Sequence, residues 1–364
     1  MQSSPARLHN LDYLRGLSAF AIMIYHYSNW SFGNHDGGTF IGRLGIYGVA
    51  IFYVLSGLTL YHVYHTNFRL VPYIKKRVLR IYPLLWLATI ATFLVHRIVP
   101  DVYRLALNFT GLFGFLKFDA YYAEGAWSIG NELVFYVFFP LFLWMSTRLK
   151  YLLIFTALLA GGVHMYFAFY LLNPANTLIA QWTTYINPLN QIFLFFAGFL
   201  IGYILKTRTF SHWLSLFMIV AGTAGLIFYP IEGDQIRLVT GIHRLSFTLL
   251  CICICIGFYK LRLVMPNIVD KPLAMLGEAS YSVYLLHPLV WWTMYMIVSA
   301  TAKYIGFEVT NLLIMSVSIP VAIAVSYFVY AKFEKYFMKL GKSKEGVLYD
   351  KGRHSPIQTS RVNK

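Results

Sequence analysis

The sequence predicts an all-α, polytopic integral membrane protein of about ten transmembrane helices with both termini in the cytoplasm. Three observations carry that prediction. Of 364 residues, 58% are hydrophobic, 18% aromatic and only 12% charged, and the mean hydropathy is +0.60, too apolar for a water-soluble domain of this length. Apolar runs long enough to cross a bilayer return along the whole chain. The basic residues, finally, are distributed unevenly between alternate connections.

In chain order the runs fall at about 11–28, 45–64, 82–99, 127–146, 151–172, 188–205, 213–230, 243–260, 280–300 and 311–333. No small-residue cleavage pattern follows the first, so it is expected to be a retained helix. The segment 105–118, LALNFTGLFGFLKF, is short and interrupted by glycine, and is expected to be re-entrant or interfacial. With no long-period repeat or low-complexity tract, residues 1–340 are expected to form one membrane domain. Residues 341–364 are basic and polar and are expected to be a disordered cytoplasmic tail.

Charge sets the orientation. With the amino terminus inside, 22 of the 30 Lys and Arg residues fall in inner segments and 7 in outer ones, and Arg15 lies within the first run. The formal charge of +16 is thus accounted for by topology and by anionic lipid head groups, and a nucleic-acid partner is not expected. The cysteines of CICIC, 251–255, alternate around a helix within an apolar run, which reads as packing, without a metal or a disulfide.

The polar residues inside these runs carry the chemistry. Arg15 and His26 are eleven positions apart, close to three helical turns, and so project from one face of the first helix about 16 Å apart along its axis. Asp12, three positions before Arg15, is within ion-pairing reach. Burying an arginine in a span costs about 2.5–3.5 kcal/mol, so this face is expected to line a wet or protein-walled cavity. The stretch YIKKRVLRIYPLLW, 73–86, reads as a cytoplasmic loop running into the next span at Tyr82 and Pro83. Its Lys75 and Lys76 suit anchoring, while Arg77 and Arg80, one turn apart, suit either anchoring or a phosphorylated ligand.

In AWSIGNELVFYVFFP, Glu132 lies about five residues, roughly 7 Å, below the outer edge, near the expected level of His26. It is neutral, paired with an arginine, or engaged in chemistry, for which orienting the His26 imidazole is one reading. In EASYSVYLLHPLVWW, His287 falls about seven residues, roughly 10 Å, inside the cytoplasmic edge, where a kink at Pro288 with a satisfied histidine is the structural reading. Glu334 reads as an interfacial charge beside Lys332 or Lys335. By depth, then, Arg15, Arg77, Arg80, His287 and Glu334 sort inward, and His26 and Glu132 outward.

Six segments in order, LDYLRGLSAFAIMIYHY, GVAIFYVLSGLTLYHVY, YIKKRVLRIYPLLW, WSIGNELVFY, SYSVYLLHP and FEKYF, resemble the acyltransferase 3 family of integral-membrane acyltransferases from about residue 9 to 340. The resemblance implies a membrane O-acyltransferase that takes an acyl group, chiefly acetyl, from cytosolic acetyl-CoA or another acyl-CoA. The acceptor it implies is a hydroxyl of a surface polysaccharide or lipid-linked glycan, and the location a bacterial inner membrane. It implies Arg15 and His26 as an essential pair with His26 as base, and Arg77 and Arg80 as the R-x-x-R element that contacts the donor. Glu132, His287 and Glu334 match family positions of less settled role, Glu132 being grouped with the catalytic pair and the other two with donor binding; no metal is implied. Direct transfer and an acyl-histidine both remain open. A glycolipid or solute transporter is the alternative that buried charge alone permits, although the paired halves or broken helices common in transporters are not found.

Overall fold

A computed structural model describes residues 8–262, 265–306 and 310–341. The chain is all-α. It opens with α1 (His9–Phe32), α2 (Phe40–Tyr64) and α3 (Leu70–His96), followed by two short helices, α4 (Val102–Thr110) and α5 (Phe113–Leu116). Next come α6 (Ala126–Arg148), α7 (Lys150–Tyr166) prolonged by a π-turn to Leu171, the single-turn α8 (Trp182–Tyr185), α9 (Pro188–Leu205), α10 (His212–Phe228) and α11 (Gly241–Lys260). The last are α12 (Asn267–Glu278), α13 (Ser280–Ile305), α14 (Asn311–Val329), a π-turn over Tyr330–Glu334, and α15 (Lys335–Leu340). Beyond Gly341, the expected tail lies outside the described residues.

Eight of these helices are long and apolar enough to cross a membrane. Two of the ten expected spans fall short of that mark for different reasons: α10 is apolar but has 17 residues, and α1 has 24 residues but carries Asp12, Arg15 and two histidines. The segment 105–118 forms α4 and α5, neither of which can span. Outward faces are strongly apolar, with Leu94, Tyr151, Leu158, Trp213 and Phe217 all exposed. Water would not tolerate so continuous an apolar belt, whereas lipid matches it.

Local chemistry sets the helix ends. Thr39, Asp101, Ser211 and Thr310 each accept a hydrogen bond from a first-turn backbone N–H, and left-handed Gly111 and Gly306 end α4 and α13. One expectation is overturned here. The basic stretch 73–86 is no loop, because α3 is continuous from Leu70 through Pro83 to His96. Tyr73 and Ile81 tie this first half into the bundle: Tyr73 donates to the Tyr136 carbonyl at 2.9 Å, and Tyr281 donates to that of Ile81 at 2.9 Å. Arg77 and Arg80 therefore ride about two to three turns up a helix.

Two backbone contacts set the helix spacing. A Cβ on Gly57 of α2 would lie 1.9 Å from the Phe195 carbonyl oxygen of α9, and one on Gly198 would lie 1.9 Å from that of Val54. Likewise a Cβ on Gly16 of α1 would lie 2.6 Å from the Gly277 nitrogen of α12. Small residues let backbones touch, the main source of attraction where lipid removes the hydrophobic drive. A large apolar cluster built mainly from α2, α3, α6, α9 and α11 lies on one side of α1, and a smaller one containing Met23, Tyr27, Val283 and Trp291 joins α1 to α13 and α14.

Candidate active site

Between α1, α2, α3, α6 and α13 lies a narrow chamber, whose empty space of about 730 Å³ is partly open to solvent. A second, roomier cavity adjoins it, and the two share Arg15, Thr59, Arg77 and Arg80 in their walls. The outer cavity is the mouth, rimmed also by Asp12, His62, Glu278 and Glu334. Arg15 Nη1 donates to Asp12 Oδ1 at 2.9 Å, the i, i+3 pair that the spacing predicts.

The two α3 arginines line the junction of the cavities. Arg77 stacks its guanidinium carbon 5.6 Å from the centroid of the Tyr136 ring, and its buried Nε has no hydrogen-bond partner. Arg80 lines both cavities and lies within electrostatic reach of Glu132 and Glu334. Glu132 faces these cations across the chamber, its Oε2 accepting from the Tyr136 hydroxyl at 2.8 Å, with Ser56 Oγ 3.3 Å from that hydroxyl. Within the chamber three guanidinium groups face the single carboxylate of Glu132, an excess of positive charge suited to an anionic ligand, while Asp12, Glu278 and Glu334 offset it at the rim.

At the inner end the walls change character. Ser128 Oγ donates to the Tyr284 hydroxyl at 2.8 Å, and that hydroxyl donates to the Gly125 carbonyl at 3.0 Å. Tyr284 also touches the next aromatic cluster, its ring centroid 6.3 Å from that of His287, although neither His26 nor His287 lines the chamber or its mouth. There His26 and His287 meet, ring centroids 5.3 Å apart, with Trp30 5.2 Å from His26 and Tyr27 6.0 Å from His287. The Tyr27 hydroxyl donates to the His287 carbonyl at 2.9 Å, locking α1 to α13 at this level. His287 is 1% exposed, its Nδ1 lies 3.0 Å from the Val283 carbonyl, and its Nε2 is buried without a partner.

Three expected positions are corrected. Glu132 does not adjoin His26: the rings around His26 are Tyr25, Trp30 and His287, while the carboxylate belongs with the arginines. The arginines reach it because α3 carries them inward. His287 is not on the inner side of His26 but beside it. Gly16 and Gly277 touch ten positions before each histidine, so on two helices running the same way the imidazoles arrive together about 15 Å further on. Counting depth from Ser280 fails because α12 already occupies the preceding level. Glu334, 2% exposed, is no interfacial charge: the π-turn brings it into the bundle, where it accepts from Ser282 Oγ at 2.8 Å.

Sequence reading also missed Tyr136, Tyr284 and Trp30. The signal was present as helical spacing, for Tyr136 follows Glu132 by four, Tyr284 precedes His287 by three and Trp30 follows His26 by four.

The family model described as an acyltransferase domain matches residues 8–331, which takes in every site residue except Glu334. A protein of Acidianus two-tailed virus that carries the name of an acetyltransferase, open reading frame 330, is 28% identical over 289 residues, 76% of this chain and 81% of that one. No solved structure gives a significant match. Spanning helices, a cationic chamber and a match over most of the length agree, and the chain belongs to the acyltransferase 3 family of membrane acyltransferases.

Proposed function

We propose that this enzyme moves an acyl group, foremost acetyl, from cytosolic acyl-CoA to a hydroxyl of a surface polysaccharide or of its lipid-linked precursor, across an inner membrane with both termini in the cytoplasm. The observation that carries the reading is the pair Arg77 and Arg80, which line both mouth and chamber where the two meet, with Arg77 Nε left without a hydrogen-bond partner. Coenzyme A carries several phosphates and a long flexible arm, so it suits cations at the mouth and a narrow space beyond. The thioester then lies toward Ser128 and Tyr284, and the acceptor hydroxyl comes from the side of His26. His26 takes the hydroxyl proton as oxygen attacks the thioester carbonyl, and collapse of the adduct releases the coenzyme A thiolate, which recovers a proton. Arg15, held by Asp12, sits between mouth and imidazole and neutralises the donor as it advances.

Purified protein given labelled acetyl-CoA and a glycan acceptor is expected to form acetylated glycan. In cells, loss of the protein is expected to remove the mass of one acetyl group per modified sugar, and an unchanged glycan spectrum contradicts the reading.

A further inference from the structure

We propose that His287 is the positioning residue of the base, the partner that holds the protonated form of His26, in the place where a carboxylate stands in many acid–base pairs. The inference rests on the proposed role of His26 and deepens it.

Tautomer chemistry carries it. His287 Nδ1 lies 3.0 Å from the Val283 carbonyl, an acceptor only, so the proton is on Nδ1 and the lone pair on Nε2. That lone pair is buried and unpartnered, an arrangement that costs free energy unless something uses it. Its ring faces the half-buried His26 at 5.3 Å between centroids. Backbone contact at Gly16 and Gly277 and the Tyr27 bond to the His287 carbonyl fix the two rings at one level. Neutral His26 gains nothing from a second lone pair. Once it has taken the acceptor's proton it carries two N–H groups, and with the ring centroids 5.3 Å apart a rotation of the imidazole would turn one toward His287 Nε2. The proton thus moves from the acceptor oxygen to His26, the oxygen electron pair goes to the carbonyl carbon, and His287 receives only a hydrogen bond.

Two variants test it in protein reconstituted in lipid. His287→Phe keeps a ring and removes the lone pair, and His287→Gln offers a carbonyl oxygen close to the former Nε2 position. Phe is expected to lower kcat for acetyl transfer about 10²–10⁴-fold, with KM for acetyl-CoA unchanged and Gln at least about tenfold more active than Phe. Wild-type kcat in His287→Phe, or an equal fall of both variants together with KM, overturns the proposal. ¹⁵N NMR of histidine-labelled protein reads the pair without turnover. The Nε2 resonance absent from His287→Phe is expected to be that of an unprotonated nitrogen and to move in His26→Ala; a protonated Nε2, or no movement, overturns the proposal. A wild-type chain that transfers no acetyl group counts against the proposed function and leaves these resonances to decide the pairing.

Discussion

Exchanging Glu132 for Gln removes one negative charge from a chamber that three guanidinium groups share, while keeping an acceptor for Tyr136. A carboxylate there competes with the donor's phosphates, so Glu132→Gln is expected to lower KM for acetyl-CoA, more strongly at low salt, and to leave kcat little changed. A loss confined to kcat would return Glu132 to the side of His26. Arg77→Ala and Arg80→Ala have the opposite sign. Each removes charge-assisted hydrogen bonds of about 1.5–3 kcal/mol, so KM for acetyl-CoA is expected to rise about 10- to 100-fold in steady-state kinetics. At this scale the sequence was a poor guide to which of the polar residues meet. Polar types inside apolar runs identify Arg15, His26, Glu132 and His287 because lipid makes each one costly. Their grouping depends on where each helix starts in depth, which periodicity does not record.

Helix α3 illustrates the same limit at the scale of elements. Charge and Pro83 suggest a loop that ends at Tyr82, yet propensity favours helix through Lys75, Lys76, Arg77 and Arg80, and proline costs little where its neighbours supply the missing contacts. Helix α1 shows the converse: the polar groups it carries lower its apolarity below that of the eight evident spans. Close packing at this scale is open to a stability test. Gly57→Ala would place a methyl 1.9 Å from the Phe195 carbonyl oxygen, so it is expected to destabilise the protein by about 1–3 kcal/mol on thermal unfolding in detergent. Gly162→Ala on α7 meets nothing within 4 Å, and is expected to be neutral or to stabilise by up to about 1 kcal/mol. Equal melting temperatures for the two variants would remove the α2–α9 contact from the forces that set helix spacing.

Over the whole molecule, the mouth and chamber adjoin at the three arginines, with carboxylates concentrated at the mouth, and Tyr284 stands between the chamber and the paired imidazoles. The class of protein was legible in composition alone, because a chain this apolar has no other solvent. How the chamber is closed was not, since the Ser128, Tyr284 and Gly125 contacts join α6 to α13 across 156 and 159 positions of sequence. If Tyr284 divides donor from acceptor, Tyr284→Phe breaks that latch, and is expected to raise hydrolysis of acetyl-CoA in the absence of acceptor, measured by free thiol release. An unchanged hydrolysis rate would leave Tyr284 as a wall without a gating role.

The central claim is a donor taken from one face and delivered at an imidazole reached from the other. Proteoliposomes of uniform orientation, with labelled acetyl-CoA only on the side of the arginine-lined mouth and glycan acceptor only on the opposite side, test it most directly. The expected result is labelled glycan with the wild type and none with His26→Ala, which still binds acetyl-CoA. Labelling by His26→Ala at the wild-type rate, or by the wild type only when donor and acceptor share a side, would contradict it.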